Sequence, residues 1–164
     1  MKKLLTITAI LLITASSILA QKAKQKVYDE NADPVMDIKK AVELAQEENK
    51  HVMLFIGGNW CSWCMKLNKF IKSDDEIKSA LYDNYQVVKV NYSKGHIPSE
   101  LLEELGFPHR LGFPVIVILD QDGKRIHTQS SGYLEEDKGY SKKKLTGFFN
   151  DWTVGKLDPT NYKK

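Results

Sequence analysis

Residues 60 to 64 read Trp-Cys-Ser-Trp-Cys, and Cys61 and Cys64 are the only cysteines in the chain. Two thiols three positions apart, with none to spare, suit one reversible two-electron exchange, because either sulfur can attack a disulfide or be attacked by its neighbour. The surroundings restrict the fold as well. An apolar run, His51-Val-Met-Leu-Phe-Ile56, precedes the motif, and Gly57-Gly58-Asn59 turns the chain. Beyond the pair, Leu67, Phe70 and Ile71 recur at spacings of three and four. Strand, turn, Cys-x-x-Cys, helix is a redox-motif setting.

The nucleophile in such chemistry is the thiolate. A cysteine in the first helical turn faces unpaired backbone N–H groups and the positive end of the helix dipole, and both favour the anion. That assigns attack to Cys61. Cys64, one turn on and on the same face, can resolve a mixed disulfide. Ser62 and Trp63 carry no charge, so activation falls to the helix end. Structural zinc wants four ligands, and neither a second cysteine pair nor finger-like spacing of His51, His96, His109 and His127 is present. No metal or cofactor is expected. Haem attachment is excluded by Met65 where His is required. A static disulfide is the competing reading, although so small a loop restrains the unfolded chain little.

Residues 1–20 have the form of a signal peptide. Lys2 and Lys3 precede an apolar stretch from Leu4 to Ile13, and Ser16, Ser17 and Ala20 supply small residues before a cut after Ala20. An uncleaved anchor is the alternative, but the stretch is short for a full span. Cleavage leaves 144 residues, with 22 basic residues against 21 acidic ones. That near-neutral balance gives no reason to expect nucleic acid or an anionic membrane as partner. A periplasmic or secreted location is expected, where disulfides form and exchange, with no stable membrane span after cleavage.

The remainder reads as one domain. Residues 21–33 are a polar, lysine-rich lead-in, expected to be loose, and 154–164 a polar tail without periodicity. Within 34–153, Val35, Ile38, Val42 and Ala45 mark a helix from Pro34 to about Asn49, with Asp33 as its cap. Ser73 and Asp74 either cap a further helix through Leu81 or kink one long helix. Gln86 to Tyr92 is a second strand, and Pro98 to Leu105 a short helix. Pro114 to Leu119 and Arg125 to Ser130 are strands joined at Asp122-Gly123. Leu145, Phe148, Phe149 and Trp152 stripe a last helix. This order predicts an α/β fold with a central mixed sheet flanked by helices.

The element order, together with Trp60-Cys61-Ser62-Trp63-Cys64, resembles the thioredoxin-like superfamily over roughly residues 35–153, and most of all its exported bacterial members. The resemblance implies attack by Cys61, resolution by Cys64, and a cis proline facing them in Gly112-Phe113-Pro114. Phe113 would then offer backbone groups to an extended substrate. Trp60, Trp63 and Phe113 would form an apolar rim, with Trp60 packed on the sheet and Trp63 exposed. Thioredoxin carries a buried Asp six residues before its first active-site cysteine, where this chain has Phe55. The family's strand lysine matches Lys89, which would either tune a nearby thiolate or lean out to solvent. Pro108 to Leu111 reads as an insertion before the proline loop. The expected function is an exported thiol–disulfide oxidoreductase, reductase-like, acting on protein disulfides or thiols with a redox partner the sequence does not name. The alternative is a thioredoxin-like binding or chaperone-like module with a fixed disulfide.

Overall fold

The computed structural model describes residues 26–93 and 96–163, so the signal-peptide reading lies outside the described residues. Helix α1 runs Pro34–Glu48, β1 His51–Gly57, α2 Ser62–Ser73, α3 Asp75–Tyr82 and β2 Tyr85–Asn91. There follow α4 Ser99–Glu104, β3 Val115–Leu119, β4 Arg125–Ser130, β5 Glu135–Glu136, β6 Gly139–Tyr140, α5 Lys142–Asp151 and α6 Val154–Leu157. The main sheet has the order β2-β1-β3-β4. β1 and β2 are parallel, whereas β1–β3 and β3–β4 are antiparallel. The parallel step needs a crossover, which α2 and α3 supply.

Every residue of β1 and β3 is buried. Such uninterrupted apolar strands belong at the centre of a sheet covered on both faces. On one face Val52, Leu54 and Ile56 pack with Ile38, Ala41 and Ala45 of α1 and with Leu101 of α4. On the other, Met53 and Phe55 meet Leu67 and Ile71 of α2, Ile77 and Leu81 of α3, and Leu145 and Phe149 of α5.

The helix between the active-site turn and β2 is two helices. Asp74 ends α2 in an extended conformation, and its carboxylate accepts the N–H groups of Glu76 and Ile77 as the cap of α3. The lead-in is not loose where it is described: residues 27–30 are pinned to the turn before Trp60. In the tail, α6 and a 3₁₀ turn at Pro159–Tyr162 add helical structure that no periodicity announced. His51 is not a surface residue. It is buried at the start of β1, with Nδ1 2.9 Å from the Trp152 carbonyl oxygen. Among the described residues no helix is long and apolar enough to cross a membrane.

Candidate functional site

The site lies where β1 stops. Gly57 closes the strand, and a side chain there would meet Cys64 Sγ at 2.5 Å and the Tyr28 hydroxyl oxygen at 3.1 Å. Only a residue without Cβ lets the strand end run this close to the sulfur. The chain then turns through Gly58 and Asn59 into Cys61, the N-cap residue of α2 (φ −87°, ψ 107°). Cys61 and Cys64 are joined as a disulfide, with Cα atoms 5.2 Å apart.

Cys61 Sγ also accepts the backbone N–H of Cys64 at 3.1 Å. A side-chain oxygen usually makes that capping bond, so a sulfur in its place is bonded to a donor that would steady a thiolate, aided by the helix dipole. The two cysteines differ in exposure: Cys61 is 6% exposed and Cys64 1%.

Around them stand the aromatic groups. The Phe113–Pro114 bond is cis, and the loop reaches it through Gly112 at φ +81°, a conformation that favours glycine. Phe113 meets Trp60 edge-on at 5.3 Å and Tyr92 at 4.6 Å between ring centroids. The two tryptophans exchange the places expected of them. Trp60 is 61% exposed, held by its indole N–H donating to the Tyr92 carbonyl at 3.0 Å. Trp63 is the half-buried one, edge-on to Tyr140 at 5.5 Å and with the Lys66 ammonium 3.9 Å from its ring centroid. The segment Pro108–Leu111 is a 3₁₀ turn, and it extends the aromatic surface by stacking His109 on Tyr92 at 5.5 Å between ring centroids.

Lys89 pairs across the sheet with Phe55, and its ammonium lies 3.6 Å from that ring's centroid. Burial first, and the charge of Lys72 second, lower its pKa to about 7. Phe55 thus offers Lys89 a ring face across the strand pair. Among the described residues no three His, Cys, Asp or Glu side chains are grouped to hold a metal ion.

Sequence reasoning missed the back wall. Tyr28 is 1% exposed and packs in one cluster with Cys61 and Cys64. Asn59 fastens it there: its Oδ1 accepts the N–H groups of Val27 and Tyr28 at 3.0 and 3.1 Å, and its Nδ2 donates to the Tyr28 carbonyl at 2.7 Å. The only local signal was Val27-Tyr28, an apolar pair in an otherwise polar stretch. Tyr140 adds a second buried hydroxyl, donating to the Trp63 carbonyl at 3.4 Å.

Residues 38–142 match the thioredoxin-like domain, and the chain belongs to that family. Among curated relatives it is similar to the disulfide bond reductase DsbH of Chlamydia pneumoniae, 32% identical over 92 residues, covering 52% of this chain and 55% of that protein. It is also similar to the thiol:disulfide interchange protein DsbD of Photorhabdus laumondii, 28% identical over 93 residues, covering 56% of this chain and 16% of that protein. The chain thus spans about half of the first relative and a small part of the second. Among solved structures, a disulphide isomerase from Xylella fastidiosa superposes with a TM-score of 0.68 at 29% identity, covering 77% of this chain and 96% of that one.

Proposed function

We propose that this protein is an exported thiol–disulfide oxidoreductase that works through the Cys61/Cys64 couple, reductase-like in direction, on protein disulfides. The observation that carries the reading is the asymmetry of the pair. Cys61, the less buried cysteine, caps the helix and its sulfur accepts the Cys64 N–H, and Cys64 is buried more completely. In the reduced protein the Cys61 thiolate attacks a substrate disulfide. A Cys61–substrate bond forms, the substrate S–S bond breaks, and one substrate sulfur leaves as thiolate. Cys64, as thiolate, then attacks Cys61 Sγ. The second substrate sulfur leaves and the Cys61–Cys64 disulfide closes. Two electrons pass from the pair to the substrate, and a dithiol donor must return them.

Exposed Trp60 and half-buried Phe113 form the rim over which an extended substrate would lie, beside the cis Pro114, and Trp63 packs with Phe113 against the cluster that holds the two cysteines. Exposed aromatics next to a reactive group favour a protein partner. Lys89 serves as a tuning group through its charge near neutral pH. The domain spans 34–153, preceded by the lead-in 21–33 and a cleaved signal peptide 1–20. A relative named as a disulfide bond reductase supports the direction.

The test is turnover of insulin disulfides with dithiothreitol as donor, together with trapping by Cys64→Ala. The wild type should accelerate insulin reduction. The Cys64→Ala protein should accumulate mixed disulfides that reductant releases, and the Cys61→Ala/Cys64→Ala protein should accumulate none. No acceleration and no trapping would instead leave the pair as a fixed structural bridge.

A further inference from the structure

The position where the resemblance sets a buried Asp is Phe55 in this chain, which offers Cys64 no carboxylate, yet the resolving sulfur is not without a polar neighbour. Cys64 Sγ and the Tyr28 hydroxyl oxygen flank the same point beside Gly57, at 2.5 and 3.1 Å from where a Cβ would stand. The ring that carries the hydroxyl is buried against both cysteines. Its backbone is gripped on both sides by Asn59, the residue two before Cys61. An asparagine in the active-site turn thus holds in register a tyrosine from a segment that the family match does not reach.

We propose that Tyr28 is a positioning residue for the resolving cysteine, its hydroxyl donating a hydrogen bond to Cys64 Sγ whenever the disulfide is open. The proposal rests on the reading of Cys61/Cys64 as a working couple. When a donor thiolate attacks Cys61 Sγ, the Cys61–Cys64 bond breaks and its electron pair stays on Cys64. The donor becomes bonded to Cys61, and the new Cys64 thiolate is met by the Tyr28 O–H. In the reverse direction the same bond keeps Cys64 deprotonated and aimed at the mixed disulfide. No proton is transferred: burial pushes the Tyr28 pKa upward, so the phenol stays neutral and remains a donor. Hydrogen bonding to the charged form is one of the ways a site lowers an acid's pKa.

Other charged or titratable groups face the region, and none is better placed. The Tyr140 hydroxyl from β6 is directed to the Trp63 carbonyl. Lys66 on α2 lies over the Trp63 ring and donates to the Lys138 carbonyl. Lys89 on β2 is over Phe55. Glu30 and Lys26, on the same segment as Tyr28, pair with each other at the surface.

The test uses the Cys61→Ser protein, in which Cys64 is the sole thiol, and follows its ionisation by the ¹³Cβ shift of labelled cysteine. Tyr28→Phe keeps the ring and leaves the Asn59 clasp untouched, since that clasp uses only backbone atoms of residues 27 and 28. The Cys64 midpoint should rise by about one pH unit, the size expected for one hydrogen bond to a charged group. In the otherwise native protein, resolution of a Cys61 mixed disulfide near neutral pH should slow about tenfold, as that one-unit loss of thiolate implies. Tyr140→Phe should leave the Cys64 midpoint in place. Coincident midpoints with and without the Tyr28 hydroxyl would overturn the proposal, and so would an equal shift on Tyr140→Phe, which would mark general loosening. The titration needs no turnover, so a wild type unable to reduce insulin would sink the proposed function while this measurement still decides the role of Tyr28.

Discussion

Replacing Lys89 with Met should stabilise the folded protein at neutral pH and lose that advantage in alkali. Lys89 is pushed from its ordinary 10.5 to about 7, by burial first and by the Lys72 charge second. In the unfolded chain it returns to about 10.4. Between these values the unfolded chain binds more protons than the folded one, so stability climbs with pH across the window. Below pH 7 both states are protonated and the full cost of burying the ammonium is present. The shift converts to at most about 5 kcal/mol at roughly 1.4 kcal/mol per unit. The Phe55 ring face, 3.6 Å away, attracts the cation by about 1–2 kcal/mol, leaving at most roughly 3–4 kcal/mol. Methionine keeps the apolar stem without the charge. Urea unfolding of the oxidised proteins, followed by tryptophan fluorescence at about pH 6.5, 8 and 9.5, should give Lys89→Met an advantage of that size at the lowest pH and a shrinking one above it. Comparing the two proteins cancels the buried Tyr28, Tyr85 and Tyr140, whose raised pKa values are common to both. A gap that does not change with pH, or a variant less stable at pH 6.5, would refute the reasoning.

Two further outcomes follow from the geometry around Gly57 and the sulfurs. Gly57→Ala places a methyl group at 2.5 Å from Cys64 Sγ, and overpacking of that kind should cost about 1–3 kcal/mol in urea unfolding; an unchanged midpoint would mean the strand end yields freely. In the reduced protein, limited iodoacetamide labelling read by mass spectrometry should modify Cys61 before Cys64, the N-cap thiol before the sealed one; preferential labelling of Cys64 would reverse the proposed roles.

The central fold was legible because its signals are local. β1 and β3 are uninterrupted apolar runs, and α1 and α5 carry stripes at helical spacing. The cysteine pair announced its turn and helix by composition alone. What escaped depends on partners distant in sequence. His51 is buried because its ring meets a carbonyl at Trp152, 101 residues away. Trp60 and Trp63 each stand directly before a cysteine, and which one faces solvent is decided by the Tyr92 carbonyl and the Tyr140 ring. Tyr28 sits among lysines and acids whose polarity spoke for a loose segment. Its burial comes from Asn59, a residue that reads only as a turn former. The cis bond before Pro114 came from the family resemblance rather than from any residue pattern.

The clasp between Asn59 and Tyr28 also separates two borders that are commonly treated as one. The family match begins at residue 38, and a chain trimmed there would lose Asp33, the cap of α1, along with the tyrosine behind the disulfide, while keeping both cysteines and all four strands of the main sheet. Such a shortened protein would still display the motif and the fold by which its family is defined. It would nevertheless lose the wall that encloses Cys64, so the stretch by which the family is recognised and the stretch that surrounds its chemistry are different lengths of the same polypeptide.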